Sequence, residues 1–385
     1  MNCHVCCIVP PHILRHLAEH PQHRAQALRT LALTERLRGR REVLAHFAAV
    51  GLAAGQERRT IYDAQNKPTL PGKLVRGEGD PDSADVTVNE AYNYAGDTYD
   101  FYEKVFQRNS VDDKGLRLDS TVHYDRDFDN AFWDGQQMVY GDGDQQIFDR
   151  FTKCLDVIGH ELTHGVTQYT AGLTYEGQSG ALNESMSDVF GSLVKQFTNG
   201  QAAAQADWLI GAGLLMPDVG PALRSMKAPG TAYNSPLLGG KDPQPAKMAD
   251  YLDTNEDNGG VHINSGIPNH AFYLTAMQIG GNAWEKAGNI WYVTLTQMLQ
   301  PTSDFQDAAN KTYAVAGELY GAGSAEQKAV QAGWAGVGIE VNTTAGLIGT
   351  GIGRTQGDKP PIASIKTDGK PHGKGHGEKP RRKAG

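Results

Sequence analysis

The spacing of hydrophobic residues divides the chain into four parts. Between residues 12 and 50, leucines recur at helical intervals among Arg, Gln and Glu, which predicts a helical segment. From about residue 60 to 145 the chain is rich in Gly, Asp, Asn and Tyr, with short β-type runs at 85–88 and 120–124. Helical periodicity returns near residue 150 and continues to about 335. After residue 341 the chain has too few apolar residues to fold.

We therefore predict four regions: a helical prosegment (1–50), a β-rich lobe that ends in the first helix after residue 150 (51–170), a helical lobe (171–341) and a disordered basic tail (342–385). Formal charge follows similar boundaries, although the 385 residues together carry only −8. The prosegment carries +4, residues 354–385 carry +6, and the body between them carries −18. Opposite charge favours docking of the prosegment on the body. Because the prosegment holds six of the thirteen histidines, we expect tighter docking in acid.

Composition excludes several classes of protein. No stretch approaches the ~20 consecutive apolar residues that cross a bilayer, so we predict no membrane span. Three of the four cysteines lie within the first seven residues, which excludes a disulfide framework for the body. Pro10 and Pro11 interrupt the N-terminal apolar run, and no clear signal peptide is present. The tail lacks aromatic residues that could stack on bases, so we expect no binding of nucleic acid.

A candidate metal motif, His160-Glu-Leu-Thr-His164, lies within a predicted helix. The two imidazoles project from one face, one turn apart. That spacing suits two ligands of one Zn²⁺, with Glu161 beside them to accept the proton of a bound water. The alternative is an exposed helix that carries these residues without a metal.

The next predicted helix supplies a candidate third ligand. Glu184 and Asp188 are four residues apart, on the side opposite its apolar face. Taken alone, this pattern is typical of a solvated polar face. Beside the first helix, we assign Glu184 to the metal and Asp188 to orienting a ligand histidine through its second N–H.

These residues resemble the thermolysin (M4) family of zinc metalloendopeptidases. The second histidine is followed 20 residues later by the glutamate of Asn183-Glu-Ser-Met-Ser-Asp188, and residues 129–140, 172–175 and 257–266 resemble further family blocks. The resemblance covers roughly residues 60–338. The segment Pro10-Pro11-His12-Ile13-Leu14 resembles the protealysin-like branch, whose propeptide is short.

The resemblance implies an α+β fold of two lobes, with one catalytic zinc in the cleft between a β-rich and a helical lobe. It implies a secreted endopeptidase that acts on proteins or peptides and is made as a zymogen, with its own propeptide as intramolecular inhibitor. The export route is not evident from the sequence, and a cytoplasmic location is the alternative. Apolar residues in the main specificity pocket imply cleavage on the amino side of large hydrophobic residues.

Individual roles follow from matched positions. Glu161 would be the general base, while His262, oriented by Asp257, and Tyr175 would stabilise the oxyanion. The implied substrate-binding residues are Asn130 and Ala131 for the backbone, Arg224 for a carbonyl, and Phe148, Phe151, Val157, Ile210 and Leu223 for the specificity pocket.

The chain departs from the family where many relatives bind a calcium pair. Asp156 and Asp207 remain, but Lys195, Leu209 and Ala212 stand where oxygen-rich ligands are expected. Two carboxylates cannot supply six to eight oxygens for each Ca²⁺. We predict that the double calcium site is absent and that Lys195 forms a salt bridge there.

Two other functions fit parts of the pattern. A zinc aminopeptidase could use the same motif, but no motif indicates a site for a free substrate amine. A non-catalytic zinc-binding protein would not require both Glu161 and His262. Cys3, Cys6 and Cys7 could bind a metal or reach the catalytic zinc as inhibitory thiolates; ordinary reduced thiols are the preferred interpretation.

Overall fold

A computed structural model describes residues 7–44 and 56–343 of the chain. The predicted helical prosegment forms two helices, α1 (Pro11–Glu19) and α2 (Arg24–Leu44), separated by a short turn. A proline suits the first turn of α1, where its missing N–H leaves no hydrogen bond unmade. The apolar face of α1 is buried through Ile13, Leu14 and Leu17.

The first lobe is built on a mixed five-stranded sheet. Its strands are β1 (Arg59–Lys67), β2 (Lys73–Arg76), β3 (Leu118–Tyr124), β4 (Ala131–Trp133) and β5 (Met138–Tyr140). Their order is β2-β1-β3-β5-β4, with β1, β3 and β5 parallel and the outer strands antiparallel to their neighbours. The run at 120–124 forms part of β3, as predicted. Strand β4 lies at the edge of the sheet.

The first lobe also contains a long helix, α3 (Val86–Phe106). The prediction of a strand at 85–88 is therefore wrong. Asp85 is the N-cap of α3, and its carboxylate accepts a hydrogen bond of 2.9 Å from the backbone N–H of Thr87. Capping and the long buried face of the helix outweigh the strand preference of the β-branched residues in its first turn.

Two helices cross at the boundary between the lobes, α4 (Leu155–Gln168) and α5 (Gly177–Thr198). They approach so closely that a Cβ added to Gly191 would lie 2.4 Å from the backbone oxygen of Asp156. A glycine is therefore required at this crossing. The close approach brings the polar residues of the two helices together.

The second lobe is mainly helical. Its helices after α5 are α6 (Asp257–Asn264), α7 (Gly266–Ile279), α8 (Lys286–Val293), α9 (Phe305–Tyr320) and α10 (Ala325–Gly336). Its two small hairpins pair β6 (Leu209–Ile210) with β7 (Arg224–Ser225), and β8 (Asn234–Ser235) with β9 (Gly240–Lys241). Within the described part of the chain, no helix combines the length and apolar character needed to cross a bilayer. The architecture is the expected α+β fold of two lobes.

A histidine joins three segments of the first lobe. His123 Nε2 lies 2.8 Å from Asp85 at the N-terminus of α3, and its Nδ1 lies 2.8 Å from Asp142 in the loop after β5. Hydrogen bonding to Asp142, followed by the charges of both carboxylates, outweighs burial and raises the pKa of His123 to about 9.

This raised pKa predicts how stability depends on pH. The stabilisation from protonated His123 is fully present below the unfolded pKa near 6.5 and is lost as the pH rises through about 9. We expect His123→Gln to lower the free energy of unfolding by about 1–2 kcal/mol at pH 6 and by much less at pH 10. Denaturant unfolding at both pH values measures the difference, and an equal loss at both would contradict a charged His123.

Candidate active site

Three buried side chains at the α4–α5 crossing form a group that could hold a metal ion. His160 and His164 come from α4 and Glu184 comes from α5, and one ligand atom from each lies within 4.8 Å of the others. The two Nε2 atoms are 3.0 Å apart. His160 Nε2 lies 3.5 Å from Glu184 Oε2, and His164 Nε2 lies 3.4 Å from Glu184 Oε1. Burial of both histidines contradicts the alternative of an exposed helix.

The donors in this group fit zinc. The Nδ1 atoms are taken by other residues, because His160 Nδ1 lies 2.7 Å from Asp188 and His164 Nδ1 lies 2.8 Å from Asn183. Each Nε2 is therefore directed toward the cluster. Among the described residues, none donates a hydrogen bond to the buried Glu184 Oε2, as expected of a metal ligand. A tetrahedral zinc with bonds of about 2.0–2.1 Å requires donors about 3.3 Å apart, close to the distances found.

Asp188 links the metal cluster to Arg224 and Asn269 of the second lobe. Its carboxylate contacts His160, accepts two hydrogen bonds of 2.8 Å from Arg224, and accepts one of 2.9 Å from Asn269. Burial would raise the pKa of Asp188, but the Arg224 guanidinium and His160 hold it well below its usual range. Asp188 is therefore a buried anion with four hydrogen bonds, rather than part of a solvated helix face.

Glu161 lies next to the metal cluster without belonging to it. The residue is fully buried, and its Oε2 accepts a hydrogen bond of 3.1 Å from the backbone N–H of Trp133 in β4. This contact ties the carboxylate of α4 to the edge strand of the first lobe.

His262 and Tyr175 face the same cluster from the second lobe. His262 Nδ1 lies 2.8 Å from Asp257, while its Nε2 lies 3.1 Å from the hydroxyl of Tyr175 and 3.6 Å from Glu184. Burial lowers the pKa of His262, but the carboxylates of Asp257 and Glu184 outweigh it and raise the pKa to about 8. The hydroxyl of Tyr175 also donates a hydrogen bond to Glu184.

A tight turn at the start of α6 positions His262. Gly259 and Gly260 have φ angles of +83° and +71°, in the left-handed region. A Cβ on Gly259 would lie 2.9 Å from the backbone nitrogen of Gly177 at the start of α5. Glycine therefore allows the chain to turn back and aim His262 at the cluster.

Residues of the prosegment occupy the cleft. Cys7 forms an antiparallel bridge with Phe132 of β4, and its carbonyl oxygen lies 2.9 Å from His262 Nε2. The N–H of Ile8 donates to the carbonyl of Ala131 at 3.3 Å. The prosegment thus extends the sheet at its exposed edge.

The next residues continue the same contact. The carbonyl of Ile8 accepts a hydrogen bond of 3.0 Å from Arg224 Nη1, and the N–H of Val9 donates to Asn130 Oδ1 at 3.0 Å. Both Ile8 and Val9 are almost completely buried. The residues that the resemblance assigns to substrate backbone therefore contact backbone groups of the prosegment.

Polar contacts anchor the prosegment helices on the body. Arg15 pairs with Glu256 at 2.6 Å, Arg29 pairs with Asp125, and Gln26 donates to Asp129. These contacts agree with the expected attraction between a basic prosegment and an acidic body.

His12 opposes the expected tighter docking in acid. This side chain is buried beside Tyr233, and burial, only partly opposed by Asp257, lowers its pKa to about 4. A free histidine titrates near 6.5, so protonation of His12 as the pH falls weakens docking.

Cys7 is not placed as an inhibitory thiolate. Its side chain packs in a hydrophobic cluster with Tyr124, Phe128, Phe132 and Val139. Cys3 and Cys6 lie outside the described residues, as do the predicted processing point near residue 50 and residues 344–385 of the tail.

The five residues assigned to the specificity pocket are all buried, with at most 2% of their surface exposed. They are Phe148, Phe151, Val157, Ile210 and Leu223. The rings of Phe148 and Phe151 are 5.7 Å apart, and the backbones of Ile210 and Leu223 are hydrogen bonded between β6 and the residue before β7.

The salt bridge predicted for Lys195 is present. Its Nζ lies 2.8 Å from Asp156 and 3.0 Å from Asp207, and it donates to the carbonyl of Leu209 at 2.7 Å. Burial lowers the pKa of Lys195, but the charge of Asp156 and then that of Asp207 outweigh it, so the ammonium persists.

Sequence reasoning missed three groups that hold the site together. Asn183 contacts His164, Asn269 contacts Asp188, and the backbone N–H of Trp133 contacts Glu161. Asn183 could have been found, because it precedes Glu184 on the same helix. The other two depend on packing between distant segments and leave no local signal.

Comparison with known proteins places this geometry in a family. The thermolysin metallopeptidase catalytic domain matches residues 52–168, and the thermolysin metallopeptidase alpha-helical domain matches residues 171–339. An extracellular metalloprotease of Pectobacterium carotovorum subsp. carotovorum is 52% identical over 345 residues, covering 88% of this chain and 97% of that protein. A thermolysin of Alicyclobacillus acidocaldarius subsp. acidocaldarius is 43% identical over 289 residues, which cover 72% of this chain and 50% of that protein.

Among solved structures, the precursor of protealysin, a metalloproteinase from Serratia proteamaculans, matches with a TM-score of 0.80 and 52% identity. The match covers 87% of this chain and 99% of the protealysin chain. The matched chain is itself that of a precursor. The chain therefore belongs to the thermolysin (M4) family of zinc metalloendopeptidases, in its protealysin-like branch, as a zymogen with a short propeptide.

Proposed function

We propose that the processed enzyme hydrolyses peptide bonds on the amino side of large hydrophobic residues, with zinc held by His160, His164 and Glu184. The observation that carries the proposal is the buried cluster itself, whose donors suit zinc and which lies beside Glu161. A zinc held by two neutral histidines and a carboxylate would supply a Lewis acid and would lower the pKa of a water to about 7.

The chain's own residues divide the remaining work. Glu161 accepts the proton of the attacking water and delivers it to the leaving amine. His262 donates toward the developing oxyanion, assisted by the hydroxyl of Tyr175, in a site from which water is excluded. Asp257 fixes the orientation of His262 through the contact at 2.8 Å. Asp188 orients His160 in the same way.

Substrate binding uses the edge of β4 and a buried arginine. Asn130 and Ala131 hold the backbone of the substrate, and Arg224, fixed by Asp188, donates to a substrate carbonyl. The contacts of these residues with Ile8 and Val9 support the proposal. The apolar side chains assigned to the specificity pocket select a large hydrophobic residue after the cleaved bond.

Peptides blocked at both ends test the proposal. We expect cleavage before Leu, Ile or Phe to exceed cleavage before Asp by about a hundredfold or more, because a charge cannot enter an apolar pocket without a partner. Mass spectrometry of the products gives the cleaved bond. Equal rates for all peptides would contradict the assigned pocket, and a requirement for a free amino terminus would indicate an aminopeptidase.

We further propose that the enzyme is exported and that residues 1–50 are removed from two catalytic lobes, 51–170 and 171–341, with 342–385 as a tail. The two family matches meet between residues 168 and 171, which supports the boundary between the lobes. N-terminal sequencing of enzyme purified from the culture medium tests export and the processing site in the same preparation. A start far from residue 51, or enzyme retained in the cell, would contradict them.

The double calcium site is proposed to be absent, because Lys195 forms salt bridges with the two carboxylates that remain and places a positive charge between them. We expect calorimetric titration with Ca²⁺ to give no saturable binding that depends on Asp156. Lys195→Glu is the matched variant, since it adds a third carboxylate at the same place. Tight binding of two Ca²⁺ by the wild type, lost in Asp156→Asn, would overturn the proposal.

A further inference from the structure

The prosegment lies in the cleft with its backbone groups in the order that the proposed substrate contacts require. His262, the residue assigned to the oxyanion, faces the carbonyl of Cys7 at 2.9 Å. Arg224, assigned to a later carbonyl, faces that of Ile8 at 3.0 Å. Two consecutive carbonyls of the prosegment therefore contact two different side chains of the body, and this defines the register. It places one peptide bond, between Cys7 and Ile8, at the reacting position.

The surroundings of the Cys7 carbonyl agree with this placement. His262 Nε2, which it contacts, lies 3.1 Å from the hydroxyl of Tyr175 and 3.6 Å from Glu184. The carbonyl thus lies next to the metal cluster. The N–H of Ile8 is held by Ala131 of the edge strand, on the same sheet edge that Glu161 contacts through Trp133.

The residue after this bond has the side chain that the proposed specificity requires. Ile8 is large, apolar and 0% exposed. Cleavage between Cys7 and Ile8 would occur on the amino side of a large hydrophobic residue. Backbone register and side-chain preference therefore select the same bond.

We propose that the Cys7–Ile8 peptide bond is a self-cleavage site, cut by the precursor's own active site within one molecule; the inference rests on the proposed function. Water adds to the carbonyl carbon of Cys7, and the bond from that carbon to the nitrogen of Ile8 breaks. Glu161 carries a proton from the water to the departing nitrogen. The products are a carboxylate on Cys7 and a new amino terminus on Ile8, with water as the only co-reactant.

The cut does not release the prosegment. Residues after Ile8 remain anchored through α1, whose apolar face is buried, and through the pairs Arg15–Glu256 and Arg29–Asp125. The released part is the segment ending at Cys7, which holds three of the four cysteines. The cut is therefore separate from removal of the prosegment near residue 50, and the cleft stays covered after it.

Intact mass spectrometry of the full-length precursor tests the proposal. The precursor is purified in chelator, zinc is added, and the mass is followed over time. We expect loss of the segment ending at Cys7, with a first-order rate constant that does not depend on protein concentration. Ile8→Asp should slow the cut by about a hundredfold or more, whereas the matched variant Ile8→Leu should be cut at a similar rate.

A mixing experiment and a measurement without catalysis complete the test. Precursor carrying Glu161→Gln should remain intact at Cys7–Ile8 even when it is mixed with the wild type. Its cleavage would show a cut between molecules and overturn the proposal.

In the same inactive precursor, hydrogen exchange should show protected amides at Ile8 and Val9, and free exchange of these amides would contradict the register. If the processed enzyme cleaves blocked peptides while the precursor keeps its segment through Cys7, this inference fails and the proposed function stands.

Discussion

Glu161→Gln is expected to lower the rate of peptide hydrolysis by about 10²–10⁴-fold while leaving zinc bound. Glutamine has the shape of glutamate and can still accept the hydrogen bond of 3.1 Å from Trp133, but it cannot take the proton of an attacking water. The metal should remain, because Glu161 is not among the three clustered ligands. Hydrolysis of a blocked peptide and zinc content by mass spectrometry give the two readouts.

A matched control variant shows whether the effect is specific to Glu161. Glu103→Gln makes the same change on α3, at a residue outside the clustered ligands, and should leave both hydrolysis and zinc content unchanged. Comparable hydrolysis by Glu161→Gln and wild type would show that another group acts as the base. Loss of zinc from Glu161→Gln would instead show that the residue supports the metal directly.

Asp188→Asn is expected to damage both stability and metal binding. The change removes a buried charge that lies between His160 and Arg224, leaving the guanidinium buried and without its anion. Breaking a buried ion pair by removing one partner costs about 3–5 kcal/mol of folding free energy. Loss of the group that orients a ligand histidine typically weakens metal binding by about 10–100-fold.

Denaturant unfolding of the zinc-free protein and competition with a zinc chelator separate the two effects. Asp218→Asn, at an exposed position, is the control and should change neither quantity. Asn183→Ala removes one of the two partners of His164 Nδ1, the other being Ser187, and should weaken zinc binding without leaving a buried charge. Unchanged zinc affinity in Asp188→Asn would contradict an orienting role for this carboxylate.

The grouping of His160, His164 and Glu184 could be predicted because helix geometry places residues four apart on one face. The same reasoning placed Asp188 one turn beyond Glu184, where it meets His160. What the pattern could not show is how closely the two helices approach. That distance depends on glycine at the crossing of α4 and α5.

The strand predicted at residues 85–88 is wrong because helix capping and burial outweigh the local strand propensity there. The β-branched residues at 86–88 predict a strand, yet Asp85 caps a helix there and the helix packs through a long buried face. The direction in which His12 makes prosegment docking depend on pH also differs from the expectation. A count of histidines contains no information about burial, and burial lowers the pKa of His12.

The register of the prosegment in the cleft was equally inaccessible to sequence patterns. The contact between Cys7 and His262 joins residues 255 positions apart. No periodicity or spacing relates such distant segments, and the pairing depends on the assembled sheet edge. The sequence therefore predicted that the chain carries a propeptide, but it did not show which propeptide residues lie in the cleft.

We claim that a zinc held by His160, His164 and Glu184 is required for peptide hydrolysis. The most direct measurement is the rate at which the processed enzyme cleaves a blocked hydrophobic peptide, before and after zinc removal, with the zinc content of each sample. We predict that one zinc per chain is present, that its removal abolishes cleavage, and that one equivalent of zinc restores it. Full cleavage by a zinc-free sample, or by Glu184→Gln without bound metal, would contradict the claim.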